Sequence, residues 1–596
     1  KPFKMMLQGL KPPALRQLLR KGQHKDEPTT FWAEGYKQAN LAILPSRLAK
    51  QFESFALGNS GALPLLYVSK VGETSAGKLG KDADVRTDVP AYQVITNGVK
   101  NKTENLLEYD WSDMVTFYIG CSFSFNQIML ENNLLTPSAK CVSMYKTNIE
   151  CYPSGPFKCK TIVSMRAMHK DKLAKVHQLT SKLPDVHGAP IHYGKPSTIG
   201  IHDLNDYIGD KTEFGEDDTP VFWCCGVTGL EVLSTSNVEK AFTHAPGSMF
   251  VTDVIQDIPK NTEDPEELCE VIEYSPGMYS ALSKHAVDKL EALDKIVQCD
   301  LGKRGIDQLI VEGDFIKAAL ALSHANKVAI VTGAPVHQTH EQPDETDGLP
   351  GVISLAAALQ SLGKTVDVLA DSYSFSATQN IISKCVETGL LKSTVTVMPT
   401  TDFKLLDKNS TPKFDVFLST ERLGKARDGK CYTMRGVDLT SHIDPIDNIF
   451  QEATDHPDIV TVAIGDGGNE IGMGNVLESV VKNIPLGEKI ACCIKTNALI
   501  AAGVSNWGCS GLALALYQVM SCPIHERYVR RAVGFPVNVD EIMNESLPTV
   551  DRERQILAIA ESFGFRDGIS PAALMSVDGM YFDNEHQQIL KQMLDI

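Results

Sequence analysis

The chain has no Cys-x-x-Cys pair among its 14 cysteines, and several of them (Cys492, Cys493, Cys522) sit in apolar runs. That excludes a zinc ribbon or a disulfide framework and reads as small buried hydrophobes in a reducing compartment. An excess of positive charge is also missing. Lys and Arg number 57 against 74 Asp and Glu, a formal net charge of −17 that argues against a nucleic-acid groove. No membrane span is expected. The one long uncharged stretch, Thr496 to Ile524, carries Asn497, Ser505, Asn506, Ser510 and Gln518, so it reads as a loop entering a buried helix. Internal repeats and low-complexity tracts are absent. So are nucleotide signatures: Gly72-Glu73-Thr74-Ser75-Ala76-Gly77-Lys78-Leu79 approaches a P-loop but ends in Leu79 where Ser or Thr must hold magnesium.

What is present is the composition of a globular protein, 43% hydrophobic and 22% charged over 596 residues, too long for one core. Residues 1–25 hold Lys1, Lys4, Lys11, Arg16, Arg20, Lys21 and Lys25 with no acid, so residues 1–40 read as a basic tail of mitochondrial transit-peptide type. A first block, 41–300, is rich in loops and mixed in pattern, with an amphipathic helix expected over Tyr279 to Val297. A second, 301–596, alternates strands and helices. Lys327 to Val331, Thr365 to Leu369, Phe414 to Leu418, Ile459 to Ile464 and Lys489 to Ile494 read as strands. Val352 to Leu362 and Gln379 to Glu387 read as helices between them. The fold class expected is therefore α/β in two domains. A mixed N-terminal domain precedes an open, largely parallel, Rossmann-like sheet flanked by helices.

The most distinctive stretch follows one of those strands: Gly465-Asp466-Gly467-Gly468-Asn469-Glu470-Ile471-Gly472-Met473-Gly474. Glycine admits positive φ and close approach of backbone to a ligand. Asp, Asn and Glu beside it suit an amine or a hard cation better than a phosphate, although a tight turn capped by Asn and Asp has the same composition. Two more acidic stretches follow strands, Asp344-Glu345-Thr346-Asp347-Gly348 and Glu421-Arg422. Each alone suits helix capping; three strand ends together point to one crevice. Asp347, Asp466, Asn469 and Glu470 are the candidate ligands of a divalent cation, the cofactor otherwise being open.

The first block offers a different set. Asp84-Val85-Arg86-Thr87-Asp88 packs a guanidinium between carboxylates, suited to holding a substrate carboxylate or to an internally paired loop. Arg166 in Ser164-Met165-Arg166 reads as a second, buried arginine, and Asn148 closes Met144-Tyr145-Lys146-Thr147-Asn148. Histidines recur on turns, in His187-Gly188-Ala189-Pro190, Ile191-His192-Tyr193-Gly194 and Thr243-His244-Ala245-Pro246-Gly247, free to face a cleft or simply to bond a loop.

On these residues the first block resembles the D-glutamate cyclase family, also described as hydro-lyases. The matching stretches are Val85 to Pro90, Gly120-Cys121-Ser122-Phe123-Ser124, Tyr145 to Asn148, His187 to His192, Phe222-Trp223-Cys224-Cys225-Gly226-Val227-Thr228 and His244 to Gly247. The second block is similar to that family's C-terminal domain through Glu345 to Gly348, Glu421-Arg422, Asp428-Gly429, Gly465 to Gly474 and Gly503-Val504-Ser505-Asn506-Trp507-Gly508. The resemblance implies dehydration of D-glutamate to 5-oxo-D-proline in the mitochondrial matrix. No nucleic-acid or membrane partner is implied, and a homo-oligomer is open.

Such a cyclisation needs a base for the ammonium, an acid for the departing oxygen and stabilisation of a tetrahedral oxyanion. One assignment uses Arg86 and Arg166, with Asn148, for the substrate, His192 and His244 as proton carriers and Asp88 to position the amine. The other uses the cation set of the second block. Another hydro-lyase or amidohydrolase on a related small acid, and a non-catalytic metabolite or metal sensor, are the rival classes.

Overall fold

The computed structural model describes residues 7–135, 142–257, 259–531 and 534–596. The chain forms two compact units. The first comprises Lys1–Val271, Gly277–Ala281 and Glu526–Pro536, and the second Ile272–Pro276, Leu282–His525 and Val537–Ile596.

The first unit is built on two sheets whose described pairings are antiparallel. Its strands are β1 (Tyr36–Pro45), β2 (Leu65–Val68), β3 (Tyr92–Thr96), β4 (Val99–Thr103), β5 (Met114–Gly120), β6 (Ser143–Glu150), β7 (Lys160–His169), β8 (His192–Tyr193), β9 (Ile208–Gly209), β10 (Asp218–Cys224), β11 (Lys240–His244) and β12 (Phe250–Ile255). The larger sheet runs β2-β5-β1-β11-β3-β4 with β12 also on β1, and the smaller runs β8-β10-β7-β6-β9. Ala42, Leu44, Phe117 and Ile119 of the larger sheet share a core with Val163, Met165 and Phe222 of the smaller. Its other face, with Leu41, Ile43, Tyr92 and Phe242, is covered by Leu79, Val85 and Val89. Burial on both faces removes the polar half of the strand alternation, which is why this block shows no clean period in sequence.

Part of the stretch expected as a tail belongs to this fold. Helix α1 (Pro12–Arg20) buries Leu15 and Leu19, which join Leu7, Trp32 and Val251 in one cluster. Arg16 pairs with Asp253 at 2.8 Å and Arg20 with Asp88 at 2.6 Å. Two of the segment's arginines thus have partners in the folded unit, and β1 begins before residue 41.

The second unit carries six parallel strands, β13 (Lys327–Gly333), β14 (Thr365–Ala370), β15 (Thr396–Pro399), β16 (Val416–Arg422), β17 (Val460–Gly465) and β18 (Ala498–Ala501). Their spatial order is β15-β14-β13-β16-β17-β18. Counted within the unit this is 3-2-1-4-5-6, the doubly wound order whose direction reverses between the first and fourth strands. The continuous apolar runs of β13 and β17 reflect helices on both faces. The uncharged stretch after Thr496 is β18 followed by helix α3 (Ser505–Ser521), which packs on α2 (Leu349–Ser361) and is buried along most of its length. The expected strand Lys489 to Ile494 is not one. Its backbone is occupied by the glycine loop: Gly472 and Gly474 N–H both donate to the Ile494 carbonyl at 3.0 Å, and Cys492 N–H donates to Gly468.

Helix α4 (Val550–Ser562) sets a carboxyl, Glu553, between these helices, where it accepts from Ser354 Oγ at 2.7 Å. Burial pushes its pKa up to about 7, against ~4.3 for an unfolded glutamate. Between those values the folded chain keeps a proton that the unfolded chain has lost, so stability falls as pH rises through this window and levels off above it. Glu553→Gln is therefore expected to stabilise the protein by roughly 2 kcal/mol at about pH 8 and to be neutral at about pH 4, as read by denaturant melts.

Candidate active site

Loops at the C-terminal ends of β13, β16, β17 and β18 converge in the second unit at the strand-order reversal, where open α/β sheets bind ligands. The glycine loop after β17 is shaped by one of its own side chains. Glu470 accepts from the backbone N–H groups of Asp466 at 3.1 Å, Gly467 at 2.7 Å and Gly468 at 2.7 Å. Gly472 takes φ +97°, and a Cβ there would lie 2.2 Å from that of Ala463, so loop and strand approach as only glycine permits. Asn469 donates to the Tyr432 carbonyl at 2.7 Å.

After β13, Asp347 accepts from Ser505 N–H at 2.9 Å and Asn506 N–H at 2.8 Å, fixing the start of α3. Asn506 returns the contact, accepting from Gly348 and Gly351 N–H and donating to Thr346. At the end of β16 Glu421 is held at φ +45°, a strained value for a residue with a Cβ, and accepts from Ser505 Oγ at 2.7 Å. Its neighbour Arg422 is consumed by Asp371 in a buried ion pair.

The result is a group of six carboxyls, the buried Glu345, Asp347, Glu421, Asp466 and Glu470 with the partly buried Asp578, facing one guanidinium, Arg304. Arg304 Nη2 lies 2.6 Å from Asp466, 2.9 Å from Asp578 and 2.8 Å from the Gly503 carbonyl. Burial, reinforced by neighbouring carboxylates, pushes Asp347 and Asp466 up to about 7 and Glu345, Glu421 and Asp578 well above the ordinary range. Two triads place one oxygen per residue within 4.8 Å of one another, Asp347/Asp466/Asp578 and Glu421/Asp466/Glu470, and Asp466 belongs to both. Oxygen-only donors at that spacing fit a hard divalent cation. Five of the six carboxyls, all but Asp347, line a cavity of about 1000 Å³, whose wall also presents Lys303, Arg304, His337, His340 and Arg435. His337 Nε2 donates to the Asp567 carbonyl at 2.8 Å, which leaves Nδ1 as an acceptor, and burial holds this histidine below its usual pKa.

Of the cation candidates read from sequence, Asp347, Asp466 and Glu470 come together here. Asn469 lines the cavity with its amide nitrogen already engaged. Arg304 and Asp578 were missed because neither lies on a strand-end loop. The only sequence signal at Asp578 is the Asp-Gly turn it begins, between Ser576–Val577 and Met580–Tyr581.

The first-block candidates are dispersed. Arg86 is bound by Asp84, at 3.0 Å from Nε and 2.8 Å from Nη2. Asp88 is saturated by Arg20, Thr87 and Asp84 N–H. Asn148 is exposed on β6. His244 Nδ1 accepts from Leu41 N–H at 3.0 Å, and burial lowers its pKa to about 4. His192 is lowered to about 3. It also sits on the wrong face for Arg166. Directly paired residues share a face; Phe222 pairs with both His192 and Met165, whereas Arg166 pairs with Val221. His192 and Arg166 therefore lie on opposite sides of the smaller sheet.

Comparison with known proteins agrees with this two-part architecture. A family model described as D-glutamate cyclase matches residues 115–253, and one described as D-glutamate cyclase-like, C-terminal, matches 293–594. A human protein named D-glutamate cyclase, mitochondrial, is 35% identical over 100% of this chain and 99% of its own length. Shorter relatives cover less of it. A Rhizobium johnstonii protein named as a candidate hydro-lyase is 45% identical over 41% of this chain and 91% of its own length, and a Thermoanaerobacter counterpart 42% identical over 42% and 97%. Among the described residues no helix is long and apolar enough to cross a membrane. With both family models in order and a relative matched along the entire chain, this protein belongs to the D-glutamate cyclase family.

Proposed function

We propose that this chain is a hydro-lyase that closes D-glutamate to 5-oxo-D-proline with release of water, in the acidic cleft of its second unit. The observation that carries the location is the carboxyl cluster around Asp466, buried at a strand-order reversal and opening on a cavity large enough for a small metabolite. The reaction joins the α-nitrogen to the γ-carboxyl carbon and expels one carboxyl oxygen as water. Lys303 and Arg435 on the cavity wall suit the substrate carboxylates, and curling the five-carbon chain there brings nitrogen and γ-carbon together. Neutral His337, with Nδ1 free to accept, takes the ammonium proton. Glu345, kept protonated by burial, delivers one proton to the departing oxygen. The nitrogen gives up its second proton to the same oxygen as the C–N bond forms and water leaves, and the proton taken by His337 returns to Glu345. A divalent cation held by Asp466 with Glu421 and Glu470, or with Asp347 and Asp578, would supply Lewis-acid polarisation of the carboxyl. The human relative's name supports a mitochondrial location, for which we propose the matrix.

A second reading, chemistry in the first unit, has one observation in its favour: the model described simply as D-glutamate cyclase matches 115–253, within that unit. The reaction itself is tested by offering D- and L-glutamate, D-glutamine and hydroxy acids to the full chain and weighing the products. D-Glutamate alone is expected to lose one water. Ammonia release from glutamine would mark an amidohydrolase, and no turnover at all a sensor; either overturns the proposal.

A further inference from the structure

Arg166 stands at the centre of β7, 4% exposed, with no carboxylate partner among the described residues. Its Nη2 donates to Asn126 Oδ1 at 3.0 Å and lies 3.3 Å from Ser122 Oγ. Its Nη1 is buried with no hydrogen-bond partner. The guanidinium carbon lies 5.2 Å from the ring centres of both Phe125 and Trp223. Two residues back, on the same face of the strand, Ser164 Oγ is also buried and unpartnered. The contrast with the other buried arginines among the described residues, Arg16 and Arg422, is direct, since Arg16 has Asp253 at 2.8 Å. Arg422 is neutralised by Asp371, whereas around Arg166 only neutral groups converge.

A buried charge without a counter-ion is costly, and an unmade hydrogen bond on it adds to that cost. Aromatic faces recover a part through cation–π attraction, but they leave the in-plane N–H groups unsatisfied. The group that would satisfy an arginine fork in its plane is a carboxylate. We propose that Arg166, with Ser122, Asn126 and Ser164, forms a binding site in the first unit for one carboxylate group of a small organic acid, flanked by Phe125 and Trp223. This site is separate from the acidic cleft and does not rest on the reading of that cleft as catalytic.

Trp223 supplies the readout. In the full-length chain carrying Asp466→Asn, which disables the cleft, acetate, glutarate and D-glutamate are titrated while tryptophan emission and binding heat are recorded. A saturable change in emission that fits one acid per chain is expected, any acid held by Lys303 and Arg435 of the cleft being counted in the heat alone. Trp223→Phe should remove the change in emission while leaving the heat. Arg166→Met should weaken binding about tenfold or more and raise the melting temperature, because it removes an uncompensated charge while keeping volume. Unchanged affinity in Arg166→Met, or no saturable change with any of the three acids, overturns the site. So does an Arg166→Met chain that melts lower or does not fold, since the guanidinium would then be a structural brace between the two rings.

Discussion

Asp466→Asn is expected to lower turnover of D-glutamate by about 10³-fold, roughly 4 kcal/mol of barrier, while making the cation-free protein more stable. The loss follows from position. Asp466 is the one carboxyl common to both triads and the one nearest Arg304, so asparagine removes a ligand charge from either cation arrangement. The gain follows from linkage. Burial pushes the folded carboxyl up to about 7, against ~3.9 for the unfolded one. Folded protein thus holds a proton the unfolded chain releases as pH climbs between these values, and stability is lost over that window and stays lost above it. Asparagine carries no such penalty, and Arg304 keeps Asp578 at 2.9 Å. A melt at neutral pH should show the variant higher by about 1–3 kcal/mol. A variant both inactive and less stable would indicate collapse of the loop instead of loss of chemistry.

Divalent cation is expected to reverse the same penalty in the unsubstituted chain. At one hundred times its dissociation constant a ligand specific for the folded state adds about 2.7 kcal/mol, and manganese or magnesium should raise the melting temperature accordingly. Because burial and their neighbouring carboxylates hold Asp347 and Asp466 well above the ordinary carboxylate range, uptake must expel protons. Affinity therefore falls as pH drops below about 7, and calorimetry in buffers of differing ionisation heat should show the release. Glu421→Gln and Asp578→Asn each remove a member of one triad only. The variant that loses the melting shift identifies the triad that holds the ion; an unaltered shift in Asp466→Asn would place the ion elsewhere.

The second unit was largely legible in sequence because β13, β14, β16 and β17 are buried on both faces and flanked by helices, giving apolar runs of strand length. β15 escaped notice as a four-residue edge strand ending in Pro399, and β18 because Ala498–Ala501 lies inside the uncharged stretch that reads as a loop entering a buried helix. The acidic strand ends could be read since each apolar run is followed by carboxylates, close behind it at Glu421 and Asp466 and further along the loop at Asp344 to Asp347. Arg304 and Asp578 could not: they reach Asp466 across 162 residues and from a hairpin, and no local pattern encodes such closure. In the first unit the motifs were visible but their grouping was not. His192 and Arg166 belong to adjacent positions of one sheet, and only the register of β8, β10 and β7 shows that they face opposite ways. The Asp84 to Asp88 stretch, readable either as a carboxylate clamp or as a paired loop, has the geometry of the latter.

The most direct test titrates the chelated full-length chain with manganese and reads bound ion and formation of 5-oxo-D-proline in the same samples, for the unsubstituted chain and for Asp466→Asn. The cleft predicts turnover that rises in step with occupancy of one site per chain and that is lost, with that site, in the variant. Full turnover in the chelated protein, or undiminished turnover in Asp466→Asn, would contradict it.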